Sequence, residues 1–157
     1  MKIAIACDHA GFPLKRTILE TARAAGHEVI DLGTNSTKPV DYPDYAEKLG
    51  LLIQTGQAGR GILLCGSGVG ACIAANKMKG VYACVCHDTY SAHQGVEHDD
   101  MSVLCIGSRI IGPELAKEIV MAFLAARYMG NDPGQERHAH RVGKIRNLEE
   151  RWNDLSV

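Results

Sequence analysis

The sequence has no excess of charge of either sign. Its 157 residues hold 17 Lys and Arg against 18 Asp and Glu, a formal net charge of −1 with histidine neutral. That balance makes no global field for nucleic acid or an acidic lipid surface, so any anionic ligand must be caught locally. Long apolar runs are missing too, and no stretch approaches the length a bilayer-spanning helix needs. The opening "MKIAIACDHAG" turns polar at Asp8 and His9, too soon for a secretory signal. Internal repeats and low-complexity segments are lacking. What these absences leave is a cytoplasmic globular chain, expected to fold as one domain over residues 1–157, because two halves of this length would each be marginal.

A disulfide framework is also lacking. The six cysteines are Cys7, Cys65, Cys72, Cys84, Cys86 and Cys105, and all but Cys72 lie inside or at the ends of apolar, strand-like runs. That is the habit of reduced, buried thiols. Cys84 and Cys86 share a face of any strand they occupy, but no second ligand pair stands at a zinc-like spacing, so no metal site is expected.

What the chain does have is alternation. "KIAIAC", "HEVIDL", "GILLC", "VYACVC" and "SVLCIG" are nearly continuous apolar runs, as in strands buried on both faces of a parallel sheet. Helical patterns separate them: Pro13–Ala25 stopped by Gly26, Tyr42–Gln54, Val69–Met78 with Gly80 beyond, Thr89 to about Val96, and Pro113 to about Tyr128. Pro13 and Pro113 stand where a first helical turn tolerates proline. The pattern predicts an α/β protein: a three-layer αβα sandwich around a Rossmann-like, five-stranded parallel sheet. After Tyr128 the composition changes to a polar linker and a charged helix over 129–157 with few apolar positions. Such a tail either lies solvated or completes a neighbouring subunit.

Ligands of parallel α/β sheets bind beyond the carboxyl ends of the strands. Here those ends carry Asp8 and His9, then Cys65 to Gly70, then His87 and Asp88, then Gly107 to Arg109. The loop Gly66, Ser67, Gly68, Val69, Gly70 opens a helix, so its free backbone N–H groups favour negative charge. One reading is a nucleotide site, with Gly66, Gly68 and Ala71 fitting G-x-G-x-x-A and Asp88 as a ribose-binding acid. That reading leaves Cys65 without a purpose. In the other, the loop steadies a developing oxyanion while Cys65 exchanges a proton, its thiol activated by the helix terminus or by nearby cations. His98, flanked by Asp99 and Asp100, is an acid–base candidate near neutral pH, the alternative being a structural histidine. In "RHAHR", Arg137 and Arg141 fall on one helix face with His138 alongside, which suits a phosphate dianion as well as a solvated basic face.

Taken in order, "ACDHAGFPLK", "DYPDYA" at Asp41–Ala46, "LLCGSGVGACIAANK" at Leu63–Lys77, "HDD" at His98–Asp100, "GSRIIGPELA" at Gly107–Ala116 and "RHAHRVGKI" at Arg137–Ile145 resemble the ribose-5-phosphate isomerase B family, which also includes galactose-6-phosphate isomerase subunits. The resemblance runs over essentially the whole chain. It implies a cytoplasmic aldose–ketose isomerase of phosphorylated sugars that needs no cofactor, works through a cis-enediolate, and assembles as a homodimer or homotetramer with shared active sites. Cys65 matches the family's base between C1 and C2, the loop Gly66–Gly70 its anion hole, and His98 the histidine that assists ring opening. Asp8 and Tyr42 match positions lining the sugar, and His9, Arg109, Arg137, His138 and Arg141 positions that bind phosphate, the tail coming from the adjacent subunit. Ser67 stands where threonine is common and keeps the hydroxyl. Asp99 stands where the ribose enzymes usually carry asparagine, and an ionised carboxylate accepts hydrogen bonds but donates none. Ribose 5-phosphate is therefore the expected substrate, with a tetrulose, allose or galactose phosphate as the alternative within the same chemistry.

Overall fold

The computed structural model describes residues 1–153; the end of the expected tail, 154–157, lies outside the described residues. The elements follow in the order β1 (Lys2–Cys7), α1 (Phe12–Ala24), β2 (Glu28–Asp31), α2 (Tyr42–Gln54), β3 (Arg60–Cys65), α3 (Val69–Ala75), β4 (Ala83–Val85), α4 (Thr89–Asp99), β5 (Val103–Gly107), α5 (Pro113–Ala125) and α6 (Glu136–Asn153). The strands form one sheet in the order β2-β1-β3-β5-β4, and every pairing is parallel. This is the expected Rossmann-like αβα sandwich. Alternation along the strands divides the core in two. Ile3, Ile5, Ile62, Leu64, Leu104 and Ile106 face α1, α4 and α5, while Ala4, Ala6, Leu63, Cys65, Val103 and Cys105 face α2 and α3. Large side chains on the first face each contribute about 1.5–3 kcal/mol on burial. Smaller ones on the second let α2 come close, to the point that Leu49 fills the space a Cβ on Gly61 would take.

Three helix ends differ from the sequence expectation by about three residues, two of them with a side chain behind the change. Helix α3 ends at Ala75 rather than Met78, because the Asn76 side chain pairs with Ala83 as a strand would: its Nδ2 donates to the Ala83 carbonyl at 2.8 Å and its Oδ1 accepts the Ala83 N–H at 2.9 Å. Helix α5 ends at Ala125 rather than Tyr128, where the Arg60 guanidinium reaches across from β3 to the carbonyls of Phe123, Leu124 and Ala126. Helix α4 runs on to Asp99 and stops only where Asp100 turns left-handed, φ 56°. One cysteine also departs from the expected burial. Cys7, Cys65, Cys86 and Cys105 are buried, but Cys84 is exposed, since strand order puts β4 at the sheet edge.

The tail lies against the chain's own α4. Met129 N–H donates to the Glu97 carbonyl at 2.9 Å, turning the linker back along that helix. Helix α6 then buries His138 and Val142, and Arg146 pairs with Asp100 at 2.8 Å.

Candidate active site

Strand order reverses direction beside β1: the chain steps from β1 outward to β2, then returns to β3 on the other side. A crevice opens at the carboxyl ends of the two strands on either side of such a switch, and ligands bind there. In this protein that crevice is a cavity of about 390 Å3, lined by Asp8, His9, Ala10, Tyr42, Cys65, Gly66, Ser67, Gly70, Arg109 and Ile110. A groove of about 420 Å3 between the end of α3 and α6, lined by Asn76, Lys77, Tyr82 and Glu149 with Val81, Ile145 and Leu148, is somewhat larger, but it lies at the amino end of β4 rather than at the carboxyl ends of the strands.

Cys65 ends β3 at the floor of the crevice, 4% exposed. Its Sγ accepts the Gly68 N–H at 3.1 Å, a bond that stabilises negative charge on sulfur. Gly68 makes this possible with φ +82°, a left-handed turn that swings its amide back toward the thiol. The next residues begin α3, whose first N–H groups have no partner within the helix and so form a cradle for negative charge beside the sulfur. Tyr42 packs over that cradle so closely that a Cβ on Gly70 would lie 2.7 Å from its ring.

The opposite wall is set by Asp8, which is 6% exposed. One carboxylate oxygen accepts the N–H groups of Ala10 and Gly11 at 2.9 and 2.8 Å, fixing the turn into α1. His9 Nδ1 accepts the Val40 N–H at 3.2 Å, which orients its ring. Ser108, not singled out in the sequence, joins the walls: its Oγ donates to the carbonyl of Ala10 at 2.5 Å and lies 3.2 Å from that of Cys65. Its only sequence signal is a small hydroxyl residue directly after β5. Backbone bonds from Ser108 N–H to Cys65 and from Arg109 N–H to Gly66 then bring Arg109 over the glycine loop.

The remaining expected site residues gather elsewhere. His98 and His138 stack with ring centroids 4.0 Å apart and planes 20° from parallel. His98 Nδ1 lies 2.8 Å from Gln94 Nε2. His138 is 3% exposed, and its Nε2 is buried with no hydrogen-bond partner among the described residues. Burial, then the adjacent His98, Arg137 and Arg141, push its pKa down, with Asp99 opposing. Asp99 is exposed at the end of α4. None of His98, Asp99, Arg137, His138 or Arg141 lines the cavity that holds Cys65. Within one chain the structure thus collects Asp8, His9, Tyr42, Cys65, Gly66, Ser67, Gly70 and Arg109 in one place and the histidine–arginine set in another.

The residues after β4 have scaffold work. Asp88 caps α4, accepting the Ser91 N–H at 2.7 Å, a bond that holds its carboxyl below the usual range. His87 Nε2 accepts the Gly107 N–H at 2.9 Å. Asp88 does not line the cavity beside the glycine loop, which removes the main support for a nucleotide site there.

The model of the ribose/galactose isomerase family matches residues 3–145. The chain belongs to that family. It is 48% identical over 152 residues to ribose-5-phosphate isomerase B of Escherichia coli, a match covering 97% of this chain and 99% of that one. It is also 46% identical over 132 residues to D-erythrulose-4-phosphate isomerase of Pectobacterium atrosepticum, covering 83% and 86% of the two chains. Ribose-5-phosphate isomerase B of Clostridium thermocellum superposes with a TM-score of 0.91 at 43% identity, over 97% of this chain and 99% of that one. As a ribose/galactose isomerase family member, the protein is a sugar-phosphate isomerase that interconverts aldose and ketose. Among the described residues no helix is long and apolar enough to cross a membrane.

Proposed function

We propose that the protein interconverts ribose 5-phosphate and ribulose 5-phosphate through a cis-enediolate, with Cys65 as the base. The observation that carries this reading is the Cys65 sulfur itself, buried at the cavity floor and taking the Gly68 N–H at 3.1 Å. Moving a proton between C1 and C2 needs a base on the carbon skeleton and a preorganised donor set for the oxygen that becomes negative. Cys65 supplies the first. The N–H groups of the Gly66 to Gly70 loop other than those of Gly68, which is on the sulfur, and Val69, which is on the Ser67 hydroxyl, supply the second together with that hydroxyl. Asp8 and Tyr42 face the sugar hydroxyls, and His9 and Arg109 are the cavity's cations or potential cations for the phosphate. Only protein groups are needed for each of these tasks.

The furanose form of an aldopentose must first open, and His98 is the group suited to donate to its ring oxygen. His98 stands with Arg137, His138 and Arg141 outside the Cys65 cavity of its own chain, so the complete site is formed in a homodimer in which α4 and α6 of one subunit close the cavity of the other. A bound anion or the partner surface then satisfies His138 Nε2, which the single chain leaves buried and unpaired. A phosphate clamp remote from the reacting carbons supplies the binding energy that orients them.

Asp99 favours a second substrate. A carboxylate in place of a donor changes which hydroxyl pattern is accepted, and a relative at 46% identity is a D-erythrulose-4-phosphate isomerase. A tetrose 4-phosphate has no free hydroxyl that closes a five-membered ring, so it enters open and does not require ring opening. The deciding experiment is turnover of aldopentose 5-phosphate, aldotetrose 4-phosphate and aldohexose 6-phosphate by the wild type and Cys65→Ala. Conversion of ribose 5-phosphate, lowered about 10³-fold in the variant, supports the reading. Wild-type rates in Cys65→Ala would remove the thiol as base.

A further inference from the structure

His98 is placed by a residue with no part in the reading so far. Gln94 sits four residues earlier on α4, which puts the two side chains on the same helix face, and its Nε2 lies 2.8 Å from His98 Nδ1. What matters is that the amide turns its nitrogen, not its oxygen, to the ring. An orienting carboxylate can only accept, and would hold a proton on Nδ1; an amide nitrogen can only donate, and leaves Nδ1 as the acceptor. We propose that Gln94 is a positioning residue that keeps the proton of neutral His98 on Nε2, so that the ring offers an N–H donor to the sugar's ring oxygen. The inference rests on the proposed ring-opening role of His98.

The surroundings agree with that tautomer. Of the acids next to His98 in sequence, Glu97 pairs with His93 at 2.9 Å, Asp100 pairs with Arg146 at 2.8 Å, and Asp99 is exposed and makes no hydrogen bond to the ring among the described residues. From α6 the ring meets His138 in a stack at 4.0 Å, with Arg137 and Arg141 on the same helix. No carboxylate therefore competes with Gln94 for Nδ1, and among the described residues no hydrogen bond within the chain engages His98 Nε2. One nitrogen is spoken for and the other is available to a ligand.

The test reads the tautomer directly. In the assembled protein labelled with 15N-histidine, long-range proton–nitrogen correlation spectra distinguish the protonated ring nitrogen from the bare one, with the His98 signals identified by their loss in His98→Asn. The wild type should show a protonated Nε2 and a bare Nδ1. Gln94→Glu should exchange the two, and Gln94→Met, which keeps the length and removes the donor, should give a mixture. On aldopentose 5-phosphate, Gln94→Glu should lower kcat about 10²-fold with little change in KM, the size expected for losing one positioned proton donor. Gln94→Met should fall between it and the wild type. A wild-type ring protonated on Nδ1 overturns the proposal, and needs no variant to be seen. So does a Gln94→Glu protein whose tautomer has exchanged while kcat stays at the wild-type value. If the wild type turns over no sugar phosphate, the function reading has failed, and the spectra alone still decide whether Gln94 sets the tautomer.

Discussion

Around Cys65 the working groups are held by backbone. Gly68 presents an amide to the sulfur, one oxygen of Asp8 holds two amides of its own turn, and Ser108 ties the turn after β1 to the end of β3 through the carbonyls of Ala10 and Cys65. Around His98 the working groups are side chains on two helices, aligned by a ring stack and one amide contact. The first region is rigid because moving it would break the sheet ends. The second owes its position to where α6 settles, and α6 is a charged helix with Val142 and His138 as its buried contacts in the first half. In the proposed reading, a site divided in this way puts the proton transfer at the sheet ends and leaves phosphate capture and ring opening to side chains on α4 and α6.

The sharpest way to break this comparison is to separate the two regions genetically. Cys65→Ala and His98→Asn should each be crippled on aldopentose 5-phosphate, by about 10³-fold and about 10²-fold. Mixed, dissociated and reassembled, they should regain turnover to within about an order of magnitude of the wild type, because a hybrid dimer holds one site with both groups intact. Recovery absent under conditions where native mass spectrometry shows hybrids would mean that both groups serve the same chain's cavity.

Next in size is a lesion in the backbone region alone. Gly68→Ala forces a left-handed φ of +82° on a residue with a Cβ, and that Cβ would lie 3.2 Å from the Gly107 nitrogen. The strain costs about 1–2 kcal/mol, read as a lower urea midpoint. Turnover should fall further than stability does, because the Gly68 amide leaves the sulfur. A variant destabilised but fully active would show that the Cys65–Gly68 bond is incidental. A smaller change sharpens the other region: Asp99→Asn should raise kcat/KM for the pentose relative to the tetrose about tenfold, which is roughly 1.4 kcal/mol of discrimination. An unchanged ratio would clear Asp99 of any role in substrate choice.

The same division explains what the sequence makes legible. Strand runs, the prolines at the starts of α1 and α5, and the chemistry at strand ends all follow from local pattern, and with them come Asp8, Cys65 and the glycine loop. Long-range substitutions of side chain for backbone do not. Nothing near Asn76 announces that it will pair with Ala83 like a strand, and nothing near Arg60 announces that it will end α5 some sixty residues away. The cap at Asp88 was open to reading, since Ser91 follows at the right spacing, but an acid after a strand suggests a ligand just as well. For the helix-borne region the residue types are visible and their meeting is not: His98 and His138 lie forty positions apart, and only the linker's return through Met129 and Glu97 brings the rings together.

The smallest expected effect concerns pH and isolates that ring stack. His138 is pushed below its ordinary pKa first by burial and then by its neighbours His98, Arg137 and Arg141, with Asp99 pulling the other way. The folded chain therefore binds this proton less readily than the unfolded chain, which takes it up near the ordinary value of about 6.5. Stability from this group is full above that value and is lost as pH falls through it toward the lower folded pKa. The denaturation midpoint should accordingly drop between about pH 7 and about pH 5, and His138→Phe, which keeps a flat ring against His98 and removes the titration, should make that drop shallower. Some slope will persist, since His27 is likewise held below its ordinary pKa, by burial and then by the chain's amino terminus and Arg60. Identical slopes for His138→Phe and the wild type would mean that His138 takes up its proton as easily folded as unfolded, and that the stack does not keep its ring neutral.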